Sequence, residues 1–139
     1  MRQIFVDSFY YIALLNPRDT YHEPALSLAS SIVGDHFWTT DLVLVEIANM
    51  LTFPGLRNHA AIYLRTLEKA TDTTLIYLNP DLFERALSRY EQRADKEWSL
   101  TDCLSFIVME DQGITEALTG DHHFEQAGFR PLLKDGFIP

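Results

Sequence analysis

Cysteine is nearly missing from this chain: one thiol, Cys103, in 139 residues. A single cysteine rules out an internal disulfide and any cysteine-built zinc site, and it suits a reducing compartment such as the cytosol. Its apolar neighbours would raise its pKa, so it reads as a core thiol and not as a nucleophile. Long apolar runs are also lacking. The longest stretch without a charge spans residues 24–34, well under the ~18 apolar residues a membrane helix needs. Residues 9–15 are apolar, but Asp7 precedes them, Asn16-Pro17 ends them and no small-residue cleavage site follows, so no signal peptide is expected. Positive charge is scarce as well, with 11 Lys and Arg against 20 Asp and Glu and a net charge of −9. Such a field repels polyanions unless cations gather locally. That argues against a plain nucleic-acid-binding module and leaves a cation-dependent active site or a basic protein partner.

Several signatures are absent too. The chain has no Gly-x4-Gly-Lys-Ser/Thr loop, no Gly-x-Gly-x-x-Gly turn and no Gly-x-Ser-x-Gly elbow, so nucleotide cofactors and a hydrolase serine are not indicated. What is present is ordinary globular material, 47% apolar and 22% charged, without repeats or low-complexity tracts. The length fits a single domain over residues 1–139 with one core.

Short apolar runs alternate with helical patterns. Residues 3–6, 37–40, 74–78 and 116–119 read as strands, and 131–133 as a last edge strand opening on proline. Helices are expected over 8–15, from a capping box at Thr20 and Glu23 to about 32, from Asp41 to about 53, over 57–70, after Asn79-Pro80, and over 99–112. A helical turn should follow Asp121. This alternation predicts a three-layer α/β/α fold with a mostly parallel central sheet.

Four acids stand out against that pattern. Asp7 closes the first strand, Asp121 follows the fourth, Asp102 lies in the first turn of an apolar helix, and Glu46 interrupts the run from Leu42 to Leu51. Singly, Asp7 and Asp121 read as turn caps and Asp102 as the fourth residue of a Ser99 capping box. Glu46 resists that reading, because mid-helix it has no free amide to accept from, and burying it unpaired costs several kcal/mol. Jointly, all four fall where an open α/β sheet gathers its strand ends into one crevice. An all-oxygen set selects a hard ion, Mg²⁺ or Mn²⁺. The His122-His123 pair is set aside as ligands, since adjacent side chains point in different directions. Arg85, Arg89, Arg93 and Lys96 form the main basic stripe, either a solvated helix face or a set of phosphate contacts for RNA.

Four stretches then carry a resemblance. They are Ile4-Phe5-Val6-Asp7-Ser8, Glu46 in its apolar helix, Trp98-Ser99-Leu100-Thr101-Asp102-Cys103 with Ser105-Phe106, and Leu118-Thr119-Gly120-Asp121-His122-His123-Phe124 with Gln126-Ala127-Gly128-Phe129. Together they resemble the PIN domains, and within them the VapC-type toxins of bacterial toxin–antitoxin pairs, over nearly the whole chain. The resemblance implies a cytoplasmic, metal-dependent endoribonuclease that hydrolyses RNA phosphodiester bonds. It makes Asp7, Glu46, Asp102 and Asp121 the acidic quartet, with Asp7 and Asp102 the most direct ligands of Mg²⁺ or Mn²⁺, and Ser8 and Thr119 the hydroxyls behind them. It further implies a homodimer and a small basic antitoxin placing an arginine at the carboxylates. One departure is Phe9, where many relatives carry a small polar residue. The rival expectation is a non-catalytic, partner-binding domain of the same fold. An acid-pocket phosphatase is disfavoured, because Asp7 is followed by Ser8 and Phe9 and not by a second acid.

Overall fold

The computed structural model describes residues 1–135. Five strands, β1 (Gln3–Val6), β2 (His36–Thr40), β3 (Thr73–Ile76), β4 (Glu116–Leu118) and β5 (Arg130–Pro131), pair in parallel in the order β3-β2-β1-β4-β5. The helices are α1 (Ser8–Leu15), α2 (His22–Ala29), α3 (Asp41–Met50), α4 (Leu56–Lys69), α5 (Pro80–Gln92), α6 (Leu100–Gln112), α7 (His122–Gln126) and α8 (Leu132–Asp135). Ile4, Phe5 and Val6 are all buried. Successive strand side chains point to opposite faces, so burial of three in a row requires helices on both sides of β1. One helical group joins α1 to α2, α3 and α4, and the other pairs α5 with α6. The expected three-layer α/β class is the one observed.

Strand order fixes where chemistry can occur. The chain builds outward from β1 through β2 to β3, then crosses back to lay β4 and β5 on the other side of β1. The carboxyl ends of β1 and β4 therefore flank the point where winding reverses, the usual crevice of an open α/β sheet. Their alignment is set by the pairing of Val6 with Leu118 and by the Asp7 amide donating to the Leu118 carbonyl at 3.2 Å.

Side-chain caps mark several helix starts. Thr40 accepts from the Val43 amide, Asn79 from Leu82 ahead of Pro80, and Ser99 forms a reciprocal capping box with Asp102. Three expectations shift. The Thr20–Glu23 capping box is not formed: α2 begins at His22 without a side-chain cap, and Asp19 instead accepts from the Tyr21 amide at 2.8 Å. The last strand is Arg130–Pro131, with helix from Leu132 onward, so proline ends it. Finally, α3 is not buried all round. Val43 and Ile47 face the core, while Val45 and Met50 are 54% and 58% exposed. Hydrophobicity alone could not separate a sunken helix from one whose outer face is left open.

Candidate active site

Asp7 leaves β1 with its side chain buried, and the Thr119 hydroxyl, itself buried just past β4, donates to Asp7 Oδ2 at 2.8 Å. The Thr119 hydroxyl oxygen in turn accepts from the Asp121 amide at 3.0 Å. One threonine thus ties the first acid to the backbone of the last. Asp121 caps α7, its Oδ1 accepting from the His123 amide at 2.9 Å. Asp102, in the first turn of α6, accepts through Oδ2 from the Ser99 amide at 3.1 Å and from His123 Nδ1 at 3.0 Å. Glu46 reaches across from α3, where the Ser8 hydroxyl donates to its Oε1. All four carboxylates line one cleft of about 730 Å³, together with Ser8, Phe9, Arg18, Tyr21, Met50 and His123.

This crowding appears in the proton affinity. Asp7 is pushed up to about 7, first by burial and then by the charges of Asp102, Glu46 and Asp121, against the opposing pull of the Thr119 bond. Burial also raises Asp102, with Asp121 adding to it, while the Ser99 amide and His123 hold it back. Among the described residues, the metal-ligating atoms that come within 4.8 Å of one another as a group of three are those of Asp121, His122 and His123. The quartet therefore shares a cleft without closing on a common point, as like charges would. An oxygen-rich, partly buried and mutually repelling set of carboxylates is the donor chemistry that suits a hard divalent cation.

His123 is the residue that sequence reasoning undervalued. The two histidine rings do not diverge; their centroids lie 4.4 Å apart, and both Nδ1 atoms sit near Asp121 Oδ1, at 3.6 Å from His122 and 3.4 Å from His123. The helical turn begun by the Asp121 cap brings both rings to one side, which adjacency in sequence does not reveal. The α5 stripe goes the other way. Arg85 pairs with Asp111 and Arg89 with Glu110, both on α6, at 2.8 Å each, while Arg93 and Lys96 both turn to Asp95. None of the four lines the cleft. The first two fasten α5 to α6, and Arg93 also lies over the Trp98 ring, 4.8 Å from its centroid.

Gly120 separates Thr119 from Asp121 for lack of space. A Cβ built there would fall 2.7 Å from the Phe9 ring. Gly120→Ala is expected to displace that ring and cost about 1–3 kcal/mol, the usual range for overpacking, read as a lower urea midpoint. An unchanged midpoint would mean the ring moves freely.

A cleft of four acids at the winding reversal of a parallel sheet defines a class. The PIN domain profile matches residues 4–130, and the chain belongs to that family. Two relatives from strains of Mycobacterium tuberculosis, each called 23S rRNA-specific endonuclease VapC20, are 31% identical over 126 residues, covering 91% of this chain and 95% of theirs. The crystal structure of Mycobacterium tuberculosis VapC20, described as a sarcin-ricin loop cleaving toxin, superposes with a TM-score of 0.82 at 30% identity, again over 91% and 95% of the two chains. FitAcB from Neisseria gonorrhoeae shares the fold, with a TM-score of 0.61 at 13% identity over 92% and 94%.

Proposed function

We propose that this protein is a metal-dependent endoribonuclease, the toxin of a toxin–antitoxin pair, hydrolysing RNA phosphodiester bonds. The observation that carries the reading is the gathering of Asp7, Glu46, Asp102 and Asp121 on one cleft. The family and the VapC20 relatives, one of them described as cleaving the sarcin-ricin loop, support it. Asp7 and Asp102 would hold Mg²⁺ or Mn²⁺ most directly, with Glu46 and Asp121 completing the set. When bound, such an ion supplies charge neutralisation at the phosphate and activates water at neutral pH.

The chain's own groups do the positioning. Thr119 fixes Asp7 through Oδ2. The Ser8 hydroxyl orients Glu46, and His123 occupies one oxygen of Asp102 and leaves the other free. Such bonds behind a ligand set its direction and basicity. The protein acts in the cytoplasm as a homodimer. A small basic antitoxin, attracted by the net charge of −9, blocks the cleft with an arginine.

The test is cleavage of a mixed RNA pool that includes ribosomal RNA, with and without chelator, by wild type and by Asp102→Asn. Cleavage confined to wild type with Mg²⁺ or Mn²⁺ supports the reading. Equal, chelator-insensitive cleavage by both proteins would expose a contaminant. A folded wild type inert in either ion would favour the partner-binding rival.

A further inference from the structure

One wall of the cleft is not acidic. Phe9 on α1 and the connection from α1 to α2 place Phe9, Arg18 and Tyr21 beside the carboxylates. Tyr21 is 37% exposed, and its ring meets Phe9 edge to face with centroids 4.9 Å apart. Phe9 in turn rests on Gly120, between Thr119 and Asp121. The aromatic pair is therefore anchored to the same turn that presents two of the site's side chains. Its segment is held by local bonds: Asn16 accepts from the Arg18 amide at 3.1 Å, Asp19 from the Tyr21 amide at 2.8 Å, and His22 meets the Ala13 carbonyl at 2.7 Å.

Arg18 completes the wall. It is exposed, it is the described Lys or Arg that lines this cleft, and its guanidinium enters no ion pair within 4 Å among the described residues. Arg85, Arg89, Arg93 and Lys96, by contrast, are all committed to carboxylates. Asp19 and Glu97 also border the cleft, which leaves Arg18 as the place where a phosphate is attracted. An exposed ring beside an unpaired guanidinium matches the way single strands are bound, with a base stacked on an aromatic and the backbone held by a cation.

Resting on the nuclease reading above, we propose that Tyr21, backed by Phe9, stacks an unpaired base next to the scissile phosphate, while Arg18 holds a neighbouring backbone phosphate. Such a subsite needs at least one splayed nucleotide, which a continuous duplex does not offer. Tyr21 and Arg18 are binding residues; the acids do the chemistry.

The experiment needs no turnover. A single-stranded RNA oligonucleotide carrying one 2-aminopurine, moved stepwise along the strand, is titrated with Asp102→Asn protein in Mg²⁺. Quenching at one position is expected, lost in Tyr21→Ala and kept in Tyr21→Phe, with binding weakened roughly 5- to 150-fold in the alanine variant. Arg18→Gln should weaken binding and flatten the log–log salt dependence by about 0.7. Matched melting curves check that each variant is folded. Quenching and affinity untouched by Tyr21→Ala, or equal losses in Tyr21→Ala and Tyr21→Phe, would overturn the subsite. Cleavage by the wild-type background tells the two ideas apart. If it persists unchanged in Tyr21→Ala and Arg18→Gln, the nuclease stands and the subsite falls. If wild type cleaves nothing yet the base is quenched as described, the platform stands and the nuclease falls.

Discussion

Asp7→Asn is expected to lower RNA cleavage by roughly 10³-fold or more while making the metal-free protein more stable. The two effects share a cause. A bound cation contributes several kcal/mol to transition-state charge stabilisation, and each ~1.4 kcal/mol is tenfold in rate. Asp7 is the most deeply placed of the four acids and the one raised furthest, to about 7. Asparagine is nearly isosteric, its Oδ1 still accepts from the Thr119 hydroxyl, and it carries no charge into the interior. Removing a buried charge from three like neighbours should add about 1–3 kcal/mol to unfolding at neutral pH. Thermal or urea unfolding in chelator, beside single-turnover cleavage in Mg²⁺, measures both. A variant that loses stability and activity together would make Asp7 a structural cap and dissolve the case for an active centre.

The parts of this fold that the sequence made readable are those set by short-range chemistry. Asn79-Pro80 and Ser99 with Asp102 announce helix starts because a side chain near its own backbone amide suffices to make them. The apolar run before Asp7 announces a strand buried on both faces for a similar reason. The meeting of Asp7 with Thr119, 112 residues apart, depended on strand order; a rule about where open sheets reverse direction pointed the acids to one crevice, while Thr119 was expected only from the family resemblance. What stayed hidden was partner choice between exposed groups. The α5 arginines carry the same pattern whether they face RNA or Asp111 and Glu110, and only the packing of α5 on α6 decides. Arg18 and Tyr21 were invisible in the opposite way. They sit in a connection with no periodicity, so nothing local marks them as the cleft's far wall. His123 was misjudged because the cap at Asp121 bends the chain into a turn that brings neighbouring rings together.

In chelator, stability should fall as pH rises from about 4 to about 7, and Mg²⁺ should restore it increasingly over the same range. Asp7 has its folded pKa raised from 3.8 to about 7, so within that window the folded chain keeps a proton that the unfolded chain has released. The resulting stabilisation is complete below the unfolded value and is lost as pH climbs through the folded one, with an upper bound on the order of 4 kcal/mol. Asp102, raised in the same direction, adds to the slope. A divalent cation binds the ionised carboxylates and displaces those protons, so its effect strengthens where the metal-free protein weakens. At a hundredfold excess over its dissociation constant it contributes about 2.7 kcal/mol. Urea titrations near pH 5 and near pH 8, each with chelator or with Mg²⁺, give the four numbers required, and Asp7→Asn should flatten most of the chelator slope. Metal-free stability that rises over this interval, or a Mg²⁺ effect as large at pH 5 as at pH 8, would show that the cleft does not hold its acids against their own charge.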